Sequence, residues 1–204
     1  MGLISNGTTI FDNGSMGSGF GGSLKFISKQ TASSSASISF TSGIDSTYKE
    51  YVFYFVNISA DYASTGNEFT FQTSTNGGSS YGVTLTSTAF RAYHNEGDTL
   101  ALLNYGTAHD LAQSTNFQNL TSAGGGLSND ADHGASGYLH IFNPSSTTFV
   151  KHWLSSFAHY NRDGYSHQGH HAGYFNTTTA LNAVQFKMIS GNIDAGDILL
   201  YGVN

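Results

Sequence analysis

The chain has no cysteine and a single proline, Pro144. No disulfide can hold it together and no thiol chemistry is open to it. Charge is scarce: 13 acidic and 7 basic residues in 204, with no stretch that concentrates lysine or arginine. Nucleic-acid binding leaves a basic footprint, and this sequence has none. Surface helices are normally rich in Glu, Lys and Arg, so the shortage of charge also argues against a helical protein. No apolar run approaches the roughly 20 residues of a membrane-spanning helix, so no membrane insertion is expected. The opening MGLISNGTTIF lacks the basic region and apolar core of a secretory signal, and synthesis in the cytoplasm is the expectation.

What fills the sequence instead is 28 Ser, 21 Thr, 25 Gly, 15 Phe and 12 Tyr. Strands joined by Ser/Thr/Gly turns fit this mixture, with aromatic rings supplying most of the apolar area. The organising stretch is Gly137–Tyr160, GYLHIFNPSSTTFVKHWLSSFAHY. Two runs rich in aromatic and β-branched residues, Tyr138–Phe142 and Thr147–Tyr160, flank Asn143-Pro144-Ser145-Ser146, a turn in which proline presets φ at the second position. Phe149, Trp153 and Phe157 share one parity and Val150, Leu154 and Ala158 the other, which predicts a central hairpin covered on both faces.

Further strands are expected at Leu24–Lys29, Ser35–Phe40, Lys49–Ile58, Glu68–Thr73, Tyr81–Thr86, Thr88–His94, Thr99–Tyr105, Ala172–Asn176, Ala183–Ser190 and Asp197–Val203. Asn76-Gly77-Gly78 predicts a hairpin between the strands at 68–73 and 81–86, with one face wet. Ala108–Leu120 is the one stretch suited to a short helix, and Gly124–Gly134 reads as a flexible acidic loop. The fold class is therefore all-β: a single-domain, jelly-roll-like antiparallel β-sandwich over residues 24–204. Residues 1–23 form an irregular Gly-rich arm, and Leu3, Ile4, Ile10, Phe11 and Phe20 within it suggest docking, either onto this domain or onto a neighbouring subunit.

Motifs with chemical meaning fail their context tests. Gly17, Gly19 and Gly22 spell G-x-G-x-x-G, but a strand follows where the dinucleotide fingerprint needs a helix. Ser46–Lys49 spells S-x-x-K, but Lys49 opens a strand and the partner motifs are missing. His167, His170 and His171 in SHQGHH are weak candidates for metal ligands, and His140 and His152 for a facing pair. Asp110, Asp130 and Asp132 lack the spacing of a calcium loop. No catalytic constellation and no cofactor site is expected. Tyr62, Tyr81, Tyr93, Tyr105, Tyr160, Tyr165 and Tyr174 fall near strand ends; Tyr160, Tyr165 and Tyr174 are the candidates for contact with a partner subunit or a sugar face.

The phrases MGLISNGTTIFDNGS, TYKEYVFYFVNI, AHDLAQSTNFQ, LHIFNPSSTTFVKH and FKMISGNIDAGDILLYGV resemble a family of small virion structural proteins from tailed bacteriophages of marine bacteria. The resemblance runs the length of the chain, and LHIFNPSSTTFVKH is its most specific part. It implies a non-enzymatic component of the particle exterior, of fibre or appendage type or of capsid-decoration type. It implies a homo-oligomer, with a homotrimer favoured because closed symmetry is the rule and threefold axes suit both settings. Partners would be other virion proteins and, for a tail protein, a host-surface glycan. A stand-alone carbohydrate-binding module is the reading from another class.

Overall fold

Burial along Lys151–Tyr160 alternates except at Ser156: Lys151, Trp153, Ser155, Phe157 and His159 are buried, as is Ser156 of the other parity, while His152, Leu154 and Ala158 are exposed. A strand with one covered and one open face belongs to a sheet packed on one side only. The computed structural model describes residues 23–61, 67–121 and 126–204, with the backbone of three short strands nearer the N-terminus. In chain order the strands are β1 (Leu3–Ser5), β2 (Thr8–Asp12), β3 (Ser15–Met16), β4 (Leu24–Ser35), β5 (Ile38–Phe40), β6 (Glu50–Ile58), β7 (Phe69–Ser74) and β8 (Leu85–Asn95). They continue with β9 (Ala101–Tyr105), β10 (Gln118–Asn119), β11 (Ala135–Phe142), β12 (Lys151–Tyr160), β13 (Tyr165–Phe175), β14 (Ala183–Met188) and β15 (Ile193–Val203). The described residues contain no helix.

Two antiparallel sheets of unequal width make the sandwich. The wide sheet has the order β4-β15-β6-β11-β12-β13-β8-β9, the narrow one β10-β7-β14-β5. The hairpin β11–β12 is central, as its sequence implies, though only one of its faces is covered. Its turn forms as expected, with Ser146 N–H donating to the Asn143 carbonyl at 3.0 Å. Phenylalanines cement the layers. Phe186 of β14 lies 5.1 Å from Phe53 and 5.1 Å from Phe55 of β6, and Phe71 of β7 lies 5.0 Å from Trp153 of β12, ring centre to ring centre. The edge-to-face geometry of these pairs suits the ring quadrupoles.

Several local expectations are overturned. Asn76-Gly77-Gly78 does turn the chain, but no hairpin follows: β7 pairs with β14 and β10, so both its edges are occupied and the chain crosses to the wide sheet. All six residues of β7 are buried, polar Thr70, Gln72 and Thr73 included. The segment 106–121 closes over Gln72; it is not the expected helix but a run of turns that ends in β10 and is bonded to both layers. Leu85 and Ser114 exchange backbone hydrogen bonds at 2.8 and 2.9 Å on the wide sheet, and Gln72 Nε2 donates to the carbonyls of Thr115 and Asn116 at 3.2 and 2.9 Å on the narrow one. The His-rich segment is strand β13 rather than a loop. The acidic loop is anchored, with Leu127, Ser128 and His133 buried.

The backbone of the N-terminal arm carries a small antiparallel sheet of its own, β1-β2-β3. The side chains of Leu3, Ile4, Ile10 and Phe11, and Phe20 and Tyr62 altogether, lie outside the described residues.

Candidate functional site

Strand alternation separates the three histidines that the sequence groups together. His167 and His171 point into the sandwich and are buried, while His170 points outward and stacks on Phe90, 4.9 Å between ring centres. His167 and His171 are four residues apart on one face, about 13 Å along a strand. They cannot share an ion. His140 pairs in register with Leu154 and bonds Glu50, and His152 sits against Tyr174 at 6.2 Å, so the expected His140–His152 pair does not form either. Among the described residues no group of three or more His, Cys, Asp or Glu is placed to hold a metal ion.

Inside, five of the nine histidines form a buried polar layer beneath β12, β13 and β8: His109, His133, His159, His167 and His171. His159, His167 and Tyr93 stack in a column, with ring centres 4.8 and 5.1 Å apart, and the Arg91 guanidinium lies 4.9 Å above Tyr93. The Asn161 amide donates to His167 Nε2 at 2.9 Å, leaving the ring proton on Nδ1, where no described group receives it. Asn119 Nδ2 bridges Glu68 Oε2 at 2.7 Å and His109 Nδ1 at 3.0 Å. His109 Nε2 faces Glu68 Oε1 at 3.8 Å, yet the two are not a salt bridge at neutral pH. Burial pushes Glu68 up to about 7, against the pull of Arg91, and burial with the Arg91 charge pushes His109 down to about 4. His167 is held near 4 by the same two causes, and His171 near 3 by burial and its neighbours His109 and His170. These imidazoles are neutral across physiological pH.

A shifted glutamate beside a histidine has the composition of an acid–base pair. Glu68 and His109 are only 5 % and 4 % exposed, however, which closes them to any substrate. Ser128, His133 and Asp132 invite a nucleophile reading. Ser128 Oγ and His133 Nδ1 are 2.6 Å apart, but Ser128 is fully buried and His133 Nε2 stands 3.6 Å from Asp132, beyond a hydrogen bond. Ser128 Oγ also accepts from the Asp130 backbone N–H at 3.2 Å, so this trio clasps the loop. Ser46–Lys49 is a turn before β6, with Thr47 N–H donating to Asp45 at 2.8 Å.

The outer face of the wide sheet is different in kind. One register row crosses all eight strands. It starts at Lys29 and Leu199, then reaches Tyr54 and Tyr138. It continues through Ser156, His170 and Phe90 to Tyr105. The row beside it holds Phe26, Tyr201, Val52, His140, Leu154, Ala172 and Thr88. Rings touch along these rows: Phe26–Tyr201 at 5.5 Å, Tyr201–Tyr54 at 5.7 Å and Tyr138–His140 at 5.0 Å. Phe90 is 49 % and Leu154 38 % exposed. Charge reaches this face only where it is paired, Lys29 with Asp197 at 3.1 Å and Glu50 with His140.

Between the aromatic clusters runs a trough floored by small residues. Two cavities of about 430 and 210 Å³ share Thr88, Leu154 and Ala172, and Phe142, His152 and Tyr174 wall one end. Sequence reasoning missed this face, because Tyr54, Tyr138 and Phe90 are the same residue types that build the core. Of the tyrosines it did single out, Tyr160 and Tyr165 stand at one end of the β12–β13 pair and Tyr174 at the other, nine residues or about 30 Å along the strand. All three are half-buried and form no common site. Compared with protein-family models, with curated proteins and with solved structures, the chain matches none.

Proposed function

We propose that this chain is a non-enzymatic structural protein of a bacteriophage virion, displayed on the particle exterior as part of the tail or fibre apparatus. It works as a closed homo-oligomer, a homotrimer in this reading, made in the host cytoplasm and assembled with other virion proteins. The observation that carries the proposal is the aromatic band across the wide sheet, whose charges are paired, with Phe26 and Tyr201 at one side and Phe90 and Tyr105 at the other. Large exposed hydrophobics recur along the band at Phe26, Leu154, Phe90 and Tyr105, and a patch of this kind marks a surface made to be covered. The sequence resemblance supplies the setting, and a cysteine-free sandwich suits assembly in a reducing cytoplasm. A capsid-decoration protein meets the same demands.

A carbohydrate-binding module is the second reading. A cavity of about 590 Å³ lined by uncharged Ser80, Tyr81, Thr115, Asn176 and Thr179 favours it, since hydroxyl and amide groups beside a ring match a sugar. Immunogold labelling of purified particles from the phage that encodes the chain separates the readings. Label on the tail is expected and label on the capsid assigns decoration. Unlabelled particles, with all of the protein in the soluble fraction, overturn the proposal.

A further inference from the structure

We infer that the occupant of the outer aromatic face is a second copy of this chain, seated with its aromatic cluster in the trough of its neighbour. The inference rests on the self-assembling reading above and names the surface that performs it. Area comes first. Eight strands at about 4.8 Å spacing span about 34 Å, and four outward rows at about 6.8 Å spacing span about 20 Å, a face on the order of 700 Å². A standard interface takes about 800 Å² from each partner, so the face alone nearly supplies one.

Charge comes second. The two central rows hold no carboxylate, and their one lysine, Lys29, is tied to Asp197 and lies at the margin. The flanking rows carry Glu50, bonded to His140, and Asp197, bonded to Lys29, so a chain with net charge −6 meets its own copy with little repulsion through the two central rows.

Shape comes third. Tyr54, Tyr138 and Tyr201 stand up on one half of the face, while Thr88 and Ala172 leave the other half low. Knobs and trough on one surface are self-complementary. A reciprocal contact makes a dimer and a cyclic one a trimer, and both bury the band. The trough is too apolar to satisfy the hydroxyls of a sugar chain, which ranks a glycan below a second copy as its occupant.

The experiment is light scattering of the full chain at several concentrations, with Ala172→Arg and Leu154→Glu as test variants and Phe149→Ser as the control. Ala172 and Leu154 are exposed, so neither change removes anything from the core, and a retained melting temperature verifies folding. Phe149 is 68 % exposed and lies outside the band. The expected result is an oligomer for the wild type and the control, and monomers for both test variants. An oligomer that survives both substitutions overturns the inference while leaving the self-assembly reading intact, with residues 1–23 as the next contact to test. A wild type that stays monomeric at every concentration overturns both. A monomer retained on polysaccharide, and released by Ala172→Arg, assigns the face to a glycan instead.

Discussion

His159 and His167 stack ring on ring inside the sandwich, 4.8 Å between centres and 7° from parallel. Both are buried, and His167 is held near 4 by burial and the Arg91 charge. Burial that holds His167, His109 and His171 neutral in the protein interior makes the fold sensitive to acid, and the sign of that sensitivity can be worked out.

His109, His167 and His171 have native values of about 4, 4 and 3, against 6.5 when unfolded. Between these limits the unfolded chain binds more protons, so stability rises with pH and is lost as pH falls below 6.5. Glu68 works the other way, with stability falling from its unfolded 4.5 up to about 7. Three histidines outweigh one glutamate. Unfolding free energy is expected to fall steeply between pH 6 and 4, by on the order of 2 kcal/mol for each histidine, with the melting temperature falling alongside. A flat profile over that range would show that the imidazoles are solvated.

Glu68→Gln tests the neutral Glu68–His109 pair. Glutamine keeps an acceptor for Asn119 and cannot ionise. At pH 8, where wild-type Glu68 carries a buried charge, the variant should be more stable by about 1 kcal/mol, and at pH 5 the two should match. Urea unfolding at both pH values reads this directly. A variant that loses stability at pH 8 means the ionised pair holds the loops.

Phe186 meets Phe40, Phe53, Phe55, Phe69 and Phe71 at ring distances of 6.2, 5.1, 5.1, 5.7 and 6.5 Å, so it is the keystone between the sheets. Phe186→Ala should cost about 3–5 kcal/mol in denaturant unfolding. Phe149→Ser, at an exposed position, should change stability by less than about 0.5 kcal/mol.

Gly137 carries the central hairpin past β12 with no room for a side chain. A Cβ there would lie 2.2 Å from the Ser156 carbonyl oxygen and 2.9 Å from the Phe157 Cα, backbone atoms that cannot swing away. Gly137→Ala should destabilise the fold by about 1–3 kcal/mol or more, or leave the protein insoluble. A wild-type melting curve would mean that β11 and β12 are further apart than this packing requires.

The class of fold was legible because aromatic, β-branched and small polar residues leave little choice, and the β11–β12 hairpin because Asn143-Pro144 stands between two apolar runs. The faces were harder. Val150, Leu154 and Ala158 look like the second side of a buried strand, yet Leu154 opens to solvent; parity separates two faces but not the covered from the bare. Thr70 and Gln72 look like a wet face, and the segment 106–121 closes over Gln72. The split between His170 and His171 follows from period-two alternation once that segment is read as a strand. The aromatic row Tyr54–Tyr138–His170–Phe90–Tyr105 depends on the register of six strands drawn from three separate stretches of the chain, with Ser156 of β12 between Tyr138 and His170.

The most direct measurement is hydroxyl-radical footprinting of the protein, first as dilute free chain and then at high concentration and in purified particles. Tyr54, Tyr138, Phe90 and Tyr105 should be reactive when dilute and protected in the assembled forms, with Phe149 reactive throughout. A band that stays as reactive as Phe149 in the particle would contradict the account.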